Sequence, residues 1–76
     1  MKNYRTTNFY LACYLQCKGI SLVKIDKSDG KKFIFELELM DKTLEFEEEF
    51  NFGEPLISAR DFINYIKQTK EIMYNS

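Results

Sequence analysis

The amino-acid sequence predicts a single small α+β domain over residues 1–76, in the order helix, strand, strand, helix, helix, with a two-stranded antiparallel hairpin packed on three helices. Residues 9–18 run without Gly or Pro and stop at Gly19, two strand-like runs flank a Ser28-Asp29-Gly30 turn, and apolar residues recur at helical spacing from 59 to 73. At 45% apolar and 16% aromatic, the chain holds enough material for one core, and its length leaves only a modest stability margin.

Thr6-Thr7-Asn8 offers side chains that cap a helix start, and Gly19 suits the left-handed residue just past a helix end, which sets the first helix at about 8–18. Its wheel is apolar nearly all round: Phe9, Tyr10, Leu11, Ala12, Cys13, Tyr14, Leu15 and Cys17 leave only Gln16 and Lys18 polar. Such a helix is buried on more than one side, or meets a partner with half its surface. Ile20–Asp26 and Phe33–Leu39 are the strand-like runs. A two-residue Asp29-Gly30 loop sets Lys24 opposite Phe35. A three-residue Ser28-Asp29-Gly30 loop, with Gly30 left-handed, pairs Val23 with Phe35 and Ile25 with Phe33. It gathers Val23, Ile25, Phe33, Phe35 and Leu37 on one face, sets Asp26 opposite Lys32, and is preferred for that segregation.

Between 40 and 52, Leu44, Phe46, Phe50 and Phe52 alternate in places as a strand would, yet Phe46 and Phe50 are also helical neighbours. Asp41 as cap, acidic residues in the first turns and Asn51 and Gly53 as terminators favour a helix at about 42–51. Ser58 with Asp61 three residues on opens the last helix, about 58–74, whose core face reads Ala59, Phe62, Ile63, Ile66, Thr69 and Met73. An isolated hairpin is marginal in water, so the helices form its backing.

Several chemistries lack their residues. No apolar run approaches the roughly 20 residues of a membrane span, and Met1-Lys2-Asn3-Tyr4-Arg5 lacks the features of a signal peptide, so a cytoplasmic setting without membrane contact is expected. Cys13 and Cys17, four apart, share a helix face and do not have disulfide geometry. With no His and no third thiol, neither metal nor cofactor is expected. A Ser or Cys nucleophile would need Lys as its base, and Gly19, Gly30 and Gly53 are too far apart for a phosphate-cradling loop. Glu45, Glu47, Glu48 and Glu49 read as the solvated face of a helix. The expectation is a non-enzymatic protein.

Charge is segregated along the chain: residues 1–32 carry net +5, residues 33–54 net −7 and residues 55–76 net +1. Three readings follow. The opposite signs meet within the fold; or a charged surface docks on a protein partner; or Lys2, Arg5, Lys24, Lys27, Lys31 and Lys32, on the N-terminal arm and hairpin tip, touch nucleic-acid phosphates. The acidic pI of about 5.4 weighs against the last. Tyr65 and Ile72, seven apart, form a second seam on the last helix. With Phe52, Leu56, Tyr10 and Tyr14 they amount to more apolar surface than so small a core hides, and a symmetric homodimer is the commonest way to cover it. The expected protein-contact residues are therefore Tyr4, Arg5, Tyr10, Tyr14, Tyr65 and Ile72.

These residues also carry a likeness. The string Tyr4-Arg5-Thr6-Thr7-Asn8-Phe9-Tyr10-Leu11-Ala12, then Tyr14-Leu15 and Lys18-Gly19, resembles a family of short uncharacterised proteins from bacteriophages and from Gram-positive genomes carrying prophages, catalogued as a domain of unknown function. The Asp29-Gly30 turn, Phe50-Asn51 ahead of Gly53, and the final helix from Ile57-Ser58 through Phe62, Ile66 and Lys70 to Tyr74 extend the resemblance over nearly the whole chain. Leu37-Glu38-Leu39-Met40 departs from the pattern by lengthening the strand-like stretch. The resemblance implies a small accessory protein in the host cytoplasm and brings no activity or functional residues with it.

Overall fold

The computed structural model describes residues 3–28 and 30–74, in the order β1 (Asn3–Thr6), α1 (Phe9–Cys17), β2 (Leu22–Asp26), β3 (Ile34–Glu38), α2 (Thr43–Phe52) and α3 (Ala59–Tyr74). The sheet has three strands and not two, in the order β1-β3-β2, all antiparallel. The added strand is the segment read from sequence as an arm: Tyr4 pairs with Leu37 and Thr6 with Phe35, so β3 is central.

The register of the hairpin also differs from both alternatives. Ile25 lies opposite Phe35, and Asp26 opposite Ile34. Between Leu22, which faces Leu37, and Lys24, which faces Glu36, Val23 is an extra residue in a β-bulge. Because side chains alternate with a period of two, this one insertion turns Leu22 to the inner face and leaves Val23 49% exposed. Ile25, Phe33, Phe35 and Leu37 keep the inner face that the sequence assigns them, since the shift of the paired segment is by two residues.

α1 is the central element, touched by α2, α3 and strands β1 and β3, and Leu11 to Leu15 are buried without a break. Its ends follow from local chemistry. Asn8 Oδ1 accepts the Leu11 N–H at 3.1 Å, which satisfies an orphan donor of the first turn. At the other end the Gly19 N–H bonds the Gln16 carbonyl and the Ile20 N–H the Leu15 carbonyl, each at 3.0 Å. This doubled closure needs a left-handed residue, and Gly19 has φ +96°. Buried Ile20 then packs with Leu15, Phe35 and Leu37 in the core.

Asp41 does not cap α2, and its N-cap position, Lys42, makes no side-chain cap bond; the fully buried hydroxyl of Thr43 instead ties down the turn that leads into the helix. Its Oγ1 donates to the Glu38 carbonyl at 3.0 Å and accepts the Met40 N–H at 2.9 Å, closing the β3–α2 turn. Phe46 and Phe50, one turn apart, pack against the core, which confirms the helical reading of this segment. On α3, Ser58 Oγ accepts the Asp61 N–H as the sequence predicts. Thr69 is fully buried and Phe62, Ile66 and Met73 are half-buried, but Ala59 and Ile63 turn outward. Tyr65, expected on an outer seam, is half-buried in their place and lines a hollow with Gln16 and Leu22. α3 is thus rotated on its axis relative to the expected stripe.

Candidate functional site

The outer face of the sheet carries a ladder of ion pairs. Glu36, in the middle strand and 9% exposed, lies between Arg5 of β1 and Lys24 of β2, with N···O distances of 3.7 and 3.6 Å. Arg5 also reaches Asp26 at 3.2 Å. The Ser28 hydroxyl and N–H, and then the Arg5 guanidinium, hold the Asp26 carboxyl below its ordinary range. Two of the six candidate phosphate-binding cations, Arg5 and Lys24, are therefore already engaged by carboxylates. Lys2 lies outside the described residues. Lys27 donates to the Ile72 carbonyl at the end of α3, at 2.9 Å. Lys31 and Lys32 are exposed at the hairpin tip and have no carboxylate within ion-pair distance among the described residues.

α2 is fastened to the rest of the fold by two tyrosines. Tyr4 of β1 donates its hydroxyl to Glu47, and Tyr14 of α1 to Glu49. Burial, reinforced by the carboxylate that each faces, pushes both phenols above their usual range. Glu49 is shifted the other way, downward, by the Tyr14 hydroxyl and by Lys18. Lys18 knits this corner together: its ammonium is 3.2 Å from Glu49, donates to the Leu56 carbonyl at 3.1 Å, and lies 5.6 Å from the ring centres of both Tyr14 and Phe46.

The six expected contact residues are thereby sorted. Tyr14, read as surplus apolar surface, is 1% exposed beneath α2 and belongs to the core, because α2 covers that side of α1. Tyr4 and Tyr65 are half-buried, while Tyr10 and Ile72 stand out, at 56% and 50%. Arg5 sits in the ion-pair ladder. The most exposed large apolar side chains are Phe52 and Leu56, at 86% and 81%, around the α2–α3 connection, which the sequence marks only as an apolar surplus. Beside Phe52, Glu45 and Glu48 line a shallow hollow of about 410 Å³. Cys13 is buried with Sγ 3.8 Å from Thr69 Oγ1, and burial raises its thiol to about 11, far from a nucleophile's range. Among the described residues no cluster of three or more His, Cys, Asp or Glu is placed to hold a metal ion, and no helix is long and apolar enough to cross a membrane.

Comparison with known proteins places the chain in a family. Residues 1–75 match the family described as Domain of unknown function (DUF5659), and the chain belongs to it. Neither the curated proteins nor the solved structures contain a match.

Proposed function

We propose that this member of the DUF5659 family is a non-enzymatic accessory protein of bacteriophage type that works in the host cytoplasm by docking on another protein. The phage setting rests on the resemblance of the Tyr4–Ala12 string. The docking reading rests on one observation above all, that Phe52 and Leu56 are 86% and 81% exposed, more than any other large apolar side chain among the described residues. Singly exposed apolar residues are ordinary, but two of them four positions apart, Phe52 at the end of α2 and Leu56 beside Pro55 with its carbonyl bonded by Lys18, offer a partner an apolar anchor. Buried, unactivated Cys13 and the absence of His from the sequence support a role without catalysis.

A second reading, a small nucleic-acid-binding regulator, keeps support from Lys31 and Lys32 at the tip, next to the exposed ring of Tyr74. It no longer draws on Arg5 and Lys24. Affinity capture from host lysate with and without nuclease separates the two, run with wild type and with the Phe52→Asp, Leu56→Asp variant. The docking reading expects a protein that survives nuclease and is lost with the variant. Material that disappears with nuclease and is indifferent to the variant overturns it in favour of nucleic acid.

A further inference from the structure

One flank of α2 is spent on the fold. Thr43 is buried there, Phe46 and Phe50 pack on the core, and Glu47 and Glu49 accept the hydroxyls of Tyr4 and Tyr14. The other flank carries Leu44, Glu48 and Phe52, each one turn beyond the last, with Glu45 beside them. Leu44 and Phe52 are 55% and 86% exposed and lie about 12 Å apart along the helix axis. Glu45, Glu48, Glu49 and Phe52 share one hollow, and of these carboxylates Glu49 alone has a cation. Glu45 and Glu48, like Glu54 just past the helix, are exposed and have no ion pair among the described residues. The Lys18 ammonium joins Glu49 to the Leu56 carbonyl, at 3.2 and 3.1 Å, and so pins the connection that carries Leu56 beside the same end of α2.

We propose that this flank of α2 receives a basic amphipathic helix of a partner protein. Apolar side chains of that helix pack on Leu44, Phe52 and Leu56, and its lysines or arginines meet Glu45, Glu48 and Glu54. Charge chooses among the occupants that an exposed apolar row could have. Unpaired carboxylates along the row repel nucleic-acid phosphates and anionic lipid headgroups. An acidic or uncharged protein surface would cover Glu48, which lies between the two apolar residues of its row, and leave it without a counter-charge. A cationic surface pairs it and is steered toward it. Shape points to a helix, because a single line of side chains one turn apart is the ridge that packs into the groove of a second helix. The row is short, so the contact is smaller than a standard interface and the complex a transient one. This deepens the docking reading by giving the partner a chemistry, and it rests on that reading.

The test titrates the full chain with synthetic peptides of about 14 residues, roughly four helical turns, and reads binding by amide-resolved NMR. The probe is a leucine-lysine peptide with its leucines at helical spacing. A leucine-glutamate peptide of the same pattern and a leucine-lysine peptide of scrambled spacing are the controls. The probe is expected to bind with a Kd on the order of 100 µM or tighter, to shift the amides of Leu44, Glu45, Glu48, Phe52 and Leu56, and to weaken as salt is raised. Neither control should bind. Glu45→Gln with Glu48→Gln, and separately Phe52→Ser with Leu56→Ser, should each weaken the probe by about tenfold or more; all four side chains are exposed, so the fold is kept. Asp61→Asn with Glu71→Gln removes the same charge from exposed positions of α3 and should bind as wild type does. An equal loss in that variant, binding of the scrambled peptide, shifts confined to other residues, or no saturable shift up to roughly 1 mM peptide overturns the proposal. Shifts of the same amides with protein concentration alone put a second copy on this flank and overturn it too. In each of those cases a nuclease-resistant partner captured from lysate and lost with Phe52→Asp, Leu56→Asp leaves the docking reading standing, and capture indifferent to that variant removes both.

Discussion

Thr43→Val isolates one hydroxyl and asks how much of α2 depends on it. Val fills nearly the same space and has a similar helix propensity, so what is removed is the Oγ1 that donates to the Glu38 carbonyl at 3.0 Å and accepts the Met40 N–H at 2.9 Å. Thr43 is fully buried, so water does not replace what is lost. Each hydrogen bond contributes about 1 kcal/mol net, and a backbone group left unpaired away from water costs about 1–3 kcal/mol, so a loss of about 2–3 kcal/mol is expected. A domain of this size has about 4–11 kcal/mol in total, and the change corresponds to a fall in Tm of about 10–20 °C. Thr43→Ser is the partner experiment: it keeps the hydroxyl and deletes one buried methyl, for about 1 kcal/mol. Urea unfolding followed by circular dichroism should rank wild type above Ser and Ser above Val, with unchanged m-values. A Val variant as stable as the Ser variant would refute the reasoning, since packing and not hydrogen bonding would then hold the turn.

Four further outcomes follow from the same structure. Glu36→Gln should cost about 0.5–1 kcal/mol at low ionic strength and much less near 1 M salt, because Arg5 and Lys24 face it from the solvent side of the sheet. Asp26 and Glu49 are held below their ordinary values in the folded chain, so the stability they confer is complete above the unfolded carboxylate range near pH 4 and is lost as pH falls through the lowered folded values; Glu49→Gln should flatten that acid limb of a denaturation profile. Tyr4 and Tyr14 are raised, so their contribution is complete below pH about 10 and decays above it, and in an ultraviolet titration two of the five tyrosines should ionise only as the chain unfolds. Iodoacetamide at neutral pH should leave Cys13 unmodified in the native protein and label it after urea is added, as mass spectrometry of the peptide 9–18 would read.

The elements that the sequence reveals are those whose signals are local. Asn8 and Gly19 bracket α1 through bonds that span at most five residues, Ser58 opens α3, and Phe46 and Phe50 settle α2 through a one-turn spacing. What stays hidden is decided across distance. β1 is four residues with alternate side chains exposed, and only the open edge of β3 makes it a strand. The bulge at Val23 comes from a competition: α1 exits through buried Ile20, so Leu22 arrives at the sheet with its side chain inward, while Ile25 must also face in, and one residue has to be left over. Alternation alone therefore chooses the right face from Ile25 onward and the wrong residue before it. Tyr14 looked like surplus because a helical wheel does not say how many neighbours a helix has. Glu47 and Glu49 looked solvated because nothing in a run of acids tells which of them will find a phenol.

The segregation of charge along the chain takes on its meaning only when the internal pairs are removed from it. Three cations of the basic first segment are paired within the fold, Arg5 and Lys24 with Glu36 and Lys18 with Glu49, so part of the contrast seen in the sequence is neutralised across the sheet and the α1–α2 corner. What survives is local: Lys31 and Lys32 at the hairpin tip, and Glu45 and Glu48 on α2, are exposed and have no ion pair among the described residues. With a net charge of −1 the molecule exerts almost no net electrostatic pull on a distant partner, so local patches, and not the charge of the whole, decide what it meets.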